Sequence, residues 1–129
     1  MECIFCKIIQ GEIPSYTIYE DEIVKAFLDI SPISNGHTLI IPKKHFENLY
    51  DTDLETLKHI EMVSIKLGKK LKESLNCVGI TRLQNNEYGQ EVKHYHMHLI
   101  PRYEKHEISI HYDKTNVDDP KEIFGKICQ

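Results

Sequence analysis

The stretch HYHMH, residues 94–98, lies within GQEVKHYHMHLIPRY (89–103). Side chains of a β-strand alternate between faces. His94, His96 and His98 then share one face, and Tyr95, Met97 and Leu99 take the other as core. At ~3.3 Å per residue the outer imidazoles stand roughly 13 Å apart, too far to ligate one small ion from a flat strand. Neighbouring histidines, about 6.6 Å apart, can converge on one group. Three readings stand: a solvated face, a metal held by two of the three, or nucleophilic and acid–base chemistry. Imidazole serves the last because it is neutral, nucleophilic and able to carry a proton near pH 7.

Working outward, residues 92–103 read as the last of five strands, with NNEYG (85–89) as the turn before it. CVGITRLQ (77–84), HTLIIP (37–42), IVKAFLDI (23–30) and SYTIYEDE (15–22) supply the others. Pro42 closes its strand, and Ser34-Asn35-Gly36 has turn chemistry. Between strands three and four, Leu54, Leu57, Ile60, Leu67, Leu71 and Leu75 recur at helical spacing, so 52–75 is predicted as a long helix. Thr52 or Asp53 caps its start, and Asn76 stops it. CIFCKIIQ (3–10) reads as a short helix or turn, and a second short helix is expected in DDPKEIFGKICQ (118–129). Strands, long helix, strands is an α+β order with a mostly antiparallel sheet.

The chain has 129 residues, enough for one domain with a single substantial core. Its apolar fraction of 40% and charged fraction of 28% are ordinary for a globular protein. A formal net charge of −4, with no basic face, argues against a nucleic-acid-binding surface. No apolar run approaches the ~20 residues of a membrane span, and MECIFCKIIQGEIP does not resemble a signal peptide. A cytoplasmic setting is therefore expected. There the pair Cys3-x-x-Cys6 points to a metal or redox site rather than a structural disulfide. Those two cysteines form half of a four-ligand zinc site, with His45 and one triad histidine as the other half. A redox pair would instead follow a strand in a βαβ unit, which is missing here.

At this point the residues are similar to a known family. GQEVKHYHMHLIPR resembles the signature of the histidine-triad (HIT) nucleotide-binding proteins. FCKIIQGEIPSYTIYEDE (5–22), AFLDISPISNGHTLIIPKKH (26–45) and the helix after them look like that family's N-terminal half. The likeness covers roughly residues 2–103; the tail 104–129 is unassigned, and 1–129 is taken as a single HIT domain. The resemblance implies a HIT-like fold, a homodimer and a purine nucleotide cleaved at its α-phosphate.

It also implies roles. His96 matches the nucleophile, giving a nucleotidyl-histidine that water then hydrolyses, which splits one hard displacement into two easier ones. His98 and Gln90 match phosphate contacts that stabilise the charge growing in the transition state. His37 matches a histidine beside the nucleophile; Asp29 matches the acid that receives the ribose hydroxyls. Phe5, Ile8, Phe27, Leu28 and Ile30 match the apolar walls around the base. Cys3, Cys6, His45 and His94 match the ligands of a structural zinc, closed because four protein ligands leave no open position. The turn LQNNEYGQ (83–90) departs from the family form: it looks about one residue shorter and lacks the small residue before Gly89. Gln84 is favoured there as the phosphate-contacting amide, with Asn85 and Asn86 as alternatives.

Lys43-Lys44-His45 looks like the phosphoramidase (Hint-like) branch, so the leading expectation is hydrolysis of nucleoside phosphoramidates such as adenosine 5′-phosphoramidate. Ile100-Pro101-Arg102 keeps dinucleoside polyphosphate hydrolysis as the runner-up. Nucleotidyl transfer is a third option. A nucleotide sensor or scaffold without turnover, and a metalloenzyme or redox protein, are the readings from other classes.

Overall fold

A computed structural model describes residues 3–105, 108–109, 111 and 113–128. The expected domain 1–129 also spans residues 1–2, 106–107, 110, 112 and 129, which lie outside the described residues. The elements run α1 (Ile4–Ile9), β1 (Thr17–Glu20), β2 (Val24–Leu28), β3 (Thr38–Pro42), α2 (Leu54–Leu75), β4 (Gly79–Leu83), β5 (Met97–Arg102), a 3-10 turn (Lys114–Asn116) and α3 (Pro120–Ile127). The strands form one sheet in the order β1-β2-β3-β5-β4, with every neighbouring pair antiparallel. This is the α+β architecture expected, with one long helix and short helices near the termini.

Local chemistry sets the boundaries. Of the two candidate caps of α2, Asp53 takes the role and accepts from the Thr56 amide at 2.8 Å. Thr52 instead donates its hydroxyl to the Asn48 carbonyl. Asn76 ends the helix in the left-handed region at φ 56°. The tight turn between β1 and β2 is organised by Asp21. Its two oxygens accept from the Ile23 and Val24 amides, the Tyr19 hydroxyl and the His59 ring, all within 2.7–2.9 Å. Gly36 has φ +89°, a left-handed conformation that favours glycine, and a Cβ there would also crowd the Leu75 side chain.

Register divides the molecule into two cores. Phe27 pairs with Leu39, and Leu39 with His98, so these side chains share one face. On that face Phe5 and Ile8 of α1 pack on Phe27, Leu39 and Ile41. The opposite face carries Val24, Ala26, Ile40, Met97 and Leu99 against Ile60, Val63, Leu67 and Leu71 of α2. Tyr95 joins this second cluster, as the alternation predicts. Burying such an apolar side chain contributes about 1.5–3 kcal/mol, so the α2 side dominates folding. Leu54, placed in the stripe by its spacing, is 81% exposed: it lies in the first turn, before α2 reaches the sheet.

The last strand is shorter than expected. It begins at Met97, not at residue 92, and pairs with β3 only through Met97, His98 and Leu99. The reason is local. The Tyr95 amide bonds to the Phe46 carbonyl, outside the ladder. The His96 ring bonds to its own neighbour's carbonyl, His94 O. His94 and His96 thus precede the strand, and only His98 belongs to it.

Candidate functional site

His96, His98 and His37 come together beside one another, and their partners assign the tautomers. Nδ1 of His96 lies 2.7 Å from the His94 carbonyl. A carbonyl only accepts, so Nδ1 carries the proton and Nε2 keeps its lone pair. The Ile33 amide donates to Nδ1 of His37 at 3.1 Å, which puts the His37 proton on Nε2. That Nε2–H reaches Nδ1 of His98 at 2.9 Å, leaving the His98 proton on Nε2. Asp29 stands 3.6 Å from Nε2 of His37 and accepts from the Ser31 amide. The His96 and His98 rings are stacked edge-on with centroids 4.9 Å apart.

Burial keeps these rings neutral. It pulls His98 down to about 4, helped by the neighbouring His96 and His37 and opposed by Asp29. His37 is lowered by burial against the charge of Asp29. His96 is lowered by burial too, while its bond to the His94 carbonyl and the carboxylates of Asp29 and Glu91 act in the other direction. A ring neutral near pH 7, with a free lone pair, is a nucleophile; a neutral ring with a fixed N–H is a donor.

These rings open into a cavity of about 580 Å³, a size that takes a small-molecule ligand. Its walls bring together most of the expected site: Phe5, Ile8, Phe27, Leu28, Asp29, Ile30, His37, His96 and His98. Phe5 meets His96 edge-on at 5.1 Å, so the apolar wall and the reactive ring touch. Two expected amides are elsewhere. Gln90 is buried with its side chain fully engaged: Nε2 donates to the Glu47 and Val92 carbonyls, and Oε1 accepts from the Glu87 amide. Gln84 bonds to the Asn85 carbonyl and the Asn86 side chain. Asn85 is the amide on the cavity wall, together with Glu91, which the sequence reading did not single out. The loop 84–93 is irregular, so no periodicity marked which of its side chains face inward. Only proximity to the triad in sequence offered a signal for Glu91.

A second constellation lies beside the first. Sγ of Cys3, Sγ of Cys6, Nδ1 of His45 and Nδ1 of His94 all fall within 4.8 Å of one another. Nε2 of His94 donates to the Pro42 carbonyl at 2.8 Å, which leaves Nδ1 as a lone pair. That single lone pair faces Cys3 at 3.4 Å, Cys6 at 3.7 Å and His45 at 3.1 Å, more partners than it can accept. Zinc bonds of ~2.3 Å to sulfur and ~2.0 Å to nitrogen put tetrahedral ligand atoms about 3.3–3.8 Å apart. Four of the six spacings run from 3.1 to 3.7 Å, close to that range, so the donor set fits a zinc ion. Asp29, His37 and His98 also cluster. There the Ile33 amide already fixes a proton on the His37 nitrogen that would have to ligate, so that trio is a hydrogen-bond relay.

Comparison with known proteins agrees with this geometry. The HIT domain family matches residues 10–105. "Protein hit" of Bacillus subtilis is 48% identical, covering 92% of this chain and 83% of its own length. The adenosine 5′-monophosphoramidase HNT1 of Saccharomyces cerevisiae is 40% identical, over 97% of this chain and 77% of the relative. A zinc-bound histidine triad family protein of Mycobacterium smegmatis superposes with a TM-score of 0.81 at 37% identity, over 88% of this chain and 84% of that one.

Proposed function

The chain belongs to the HIT family, and from that premise we propose that it is a hydrolase of purine nucleoside phosphoramidates, such as adenosine 5′-phosphoramidate. The observation that carries the reading is the tautomer chain: a lone pair on Nε2 of His96, beside an N–H on Nε2 of His98, in one cavity. In the first step Nε2 of His96 attacks the α-phosphorus and the P–N bond of the substrate breaks. The leaving nitrogen departs as the amine with a proton taken up from solvent, while Nε2–H of His98, held in the donating tautomer by His37, hydrogen-bonds to the atoms on which charge develops. Water then attacks the phosphorus, loses its proton to solvent, and releases the nucleoside monophosphate and His96. Two displacements replace one, and each develops charge against fixed donors.

Asp29 receives the ribose hydroxyls, since two acceptor oxygens suit a cis-diol. Phe5, Ile8, Phe27, Leu28 and Ile30 sandwich the base. Asn85 takes the phosphate-contacting amide role from Gln84, because Asn85 lines the cavity and Gln84 does not. Gln90 braces the loop rather than touching phosphate, given where its amide is engaged. Zinc held by Cys3, Cys6, His45 and His94 is structural: it ties α1 to the residue whose carbonyl holds His96. A cytoplasmic setting, in which both thiols stay reduced, suits that ion. A homodimer is the proposed assembly, supported by the open edge of β4 and by the outward Met62 and Ile65 of α2, 58% and 59% exposed.

The test is to trap the intermediate. Wild-type protein mixed with labelled adenosine 5′-phosphoramidate and quenched into alkali should carry the label on His96. His96→Asn should lose at least roughly 10³-fold in turnover yet still bind the nucleotide. Label on any other residue overturns the mechanism.

A further inference from the structure

The cavity wall carries acid and no fixed cation. Asp29 and Glu91 line it, and among the described residues no lysine or arginine does. Asp29 is engaged with the Ser31 amide and His37. Glu91 is exposed and makes no hydrogen bond or ion pair with another described residue. The lysine of the same loop, Lys93, is turned away from this role: its Nζ donates to the carbonyls of Glu87 and Gln90. Among the described residues, then, a carboxylate stands on the cavity wall with the reactive histidines and has no cation paired with it.

Its place on the wall says which part of a substrate it meets. With the nucleoside on α1 and the end of β2, as proposed above, the rest of the wall includes Leu83, Asn85, Gly89, Glu91 and Val92. In that pose the group that leaves meets this wall. A leaving group with negative charges of its own, such as a polyphosphate, would meet Glu91 with no lysine or arginine on the cavity wall to compensate. A leaving amine with a second ammonium would meet an opposite charge.

We propose that Glu91 is a specificity residue selecting phosphoramidates whose leaving amine carries a further, protonated amino group, and rejecting anionic leaving groups. This rests on the phosphoramidase reading. The chemistry is unchanged: the bond from Nε2 of His96 to phosphorus forms as the P–N bond breaks, and the leaving nitrogen takes its proton from solvent. The distal ammonium neither gains nor loses a proton; it pairs with Glu91 throughout.

The experiment uses adenosine 5′-phosphoramidates of three matched leaving amines: 1,4-diaminobutane, n-pentylamine and 5-aminopentanoate. They differ chiefly in the charge at the far end. Wild type should favour the cationic over the neutral substrate in kcat/KM by about three- to fivefold, and the neutral over the anionic by a similar factor. Both preferences should shrink as salt is raised. Glu91→Gln should bring the three within about twofold, and Glu91→Lys should reverse their order. A ratio measured in one preparation does not depend on the folded fraction, so a merely structural effect would leave it unmoved. Turnover of all three with no charge preference, or a preference kept by Glu91→Gln, overturns the inference and leaves the proposed function standing. No turnover of any of them overturns both.

Discussion

Asp21 shows what one side chain contributes far from the chemistry. Burial alone would raise its pKa, but the His59 ring, the Val24 and Ile23 amides and the Tyr19 hydroxyl outweigh it and hold the carboxyl below the usual range. A depressed pKa stabilises the fold above the unfolded value of about 4 and loses that contribution as the pH falls through the folded value. Asp21→Asn keeps one acceptor oxygen and loses the charge, so it should cost about 2 kcal/mol at pH 7. Urea titrations should show the gap between the variant and wild type closing in acid; a gap that does not change with pH would refute the account. Side chains of this kind also mark where the sequence stops speaking. The convergence of Cys3, Cys6, His45 and His94 was legible because their chemistry is restrictive, and the four side chains do come together. Gln84 and Gln90 were not, because an amide bonds equally well to phosphate or to backbone. Only the path of the loop decides which, and here both face backbone or other loop side chains.

At the scale of elements, strong periodicity and strong capping were readable: α2 ends where Asn76 enters the left-handed region, and β2 and β3 lie inside their apolar runs. The start of β5 was not readable, because alternation persists through His94 and His96 although the ladder there is replaced by a bond to Phe46. The consequence falls on α1. This helix has six residues, too few to persist alone, and Gly11 at φ +83° breaks it from β1. Its anchors are the side chains of Phe5 and Ile8 and the thiols of Cys3 and Cys6. Removing the proposed zinc, by chelation or by Cys6→Ser, should cost roughly 3 kcal/mol and lower Tm by about 10 °C. Metal analysis should find one zinc per chain in wild type and none in the variant. Equal Tm with and without the ion would remove its structural role.

Across the whole molecule, no helix among the described residues is long and apolar enough to cross a membrane. The outward apolar side chains of α2 need another covering, and a second chain supplies it in the proposed assembly. Light scattering should give twice the mass of one chain, and Met62→Glu with Ile65→Glu should shift it toward a single chain. A single-chain mass for wild type across micromolar concentrations would dismiss the homodimer. The separation of the two cores has an evolutionary consequence. The α2 side holds the fold together, whereas the α1 side shapes what enters the cavity. Substitutions on the α1 side therefore bear directly on what enters the cavity. Descendants of one such scaffold are free to diverge in diet while inheriting the same skeleton.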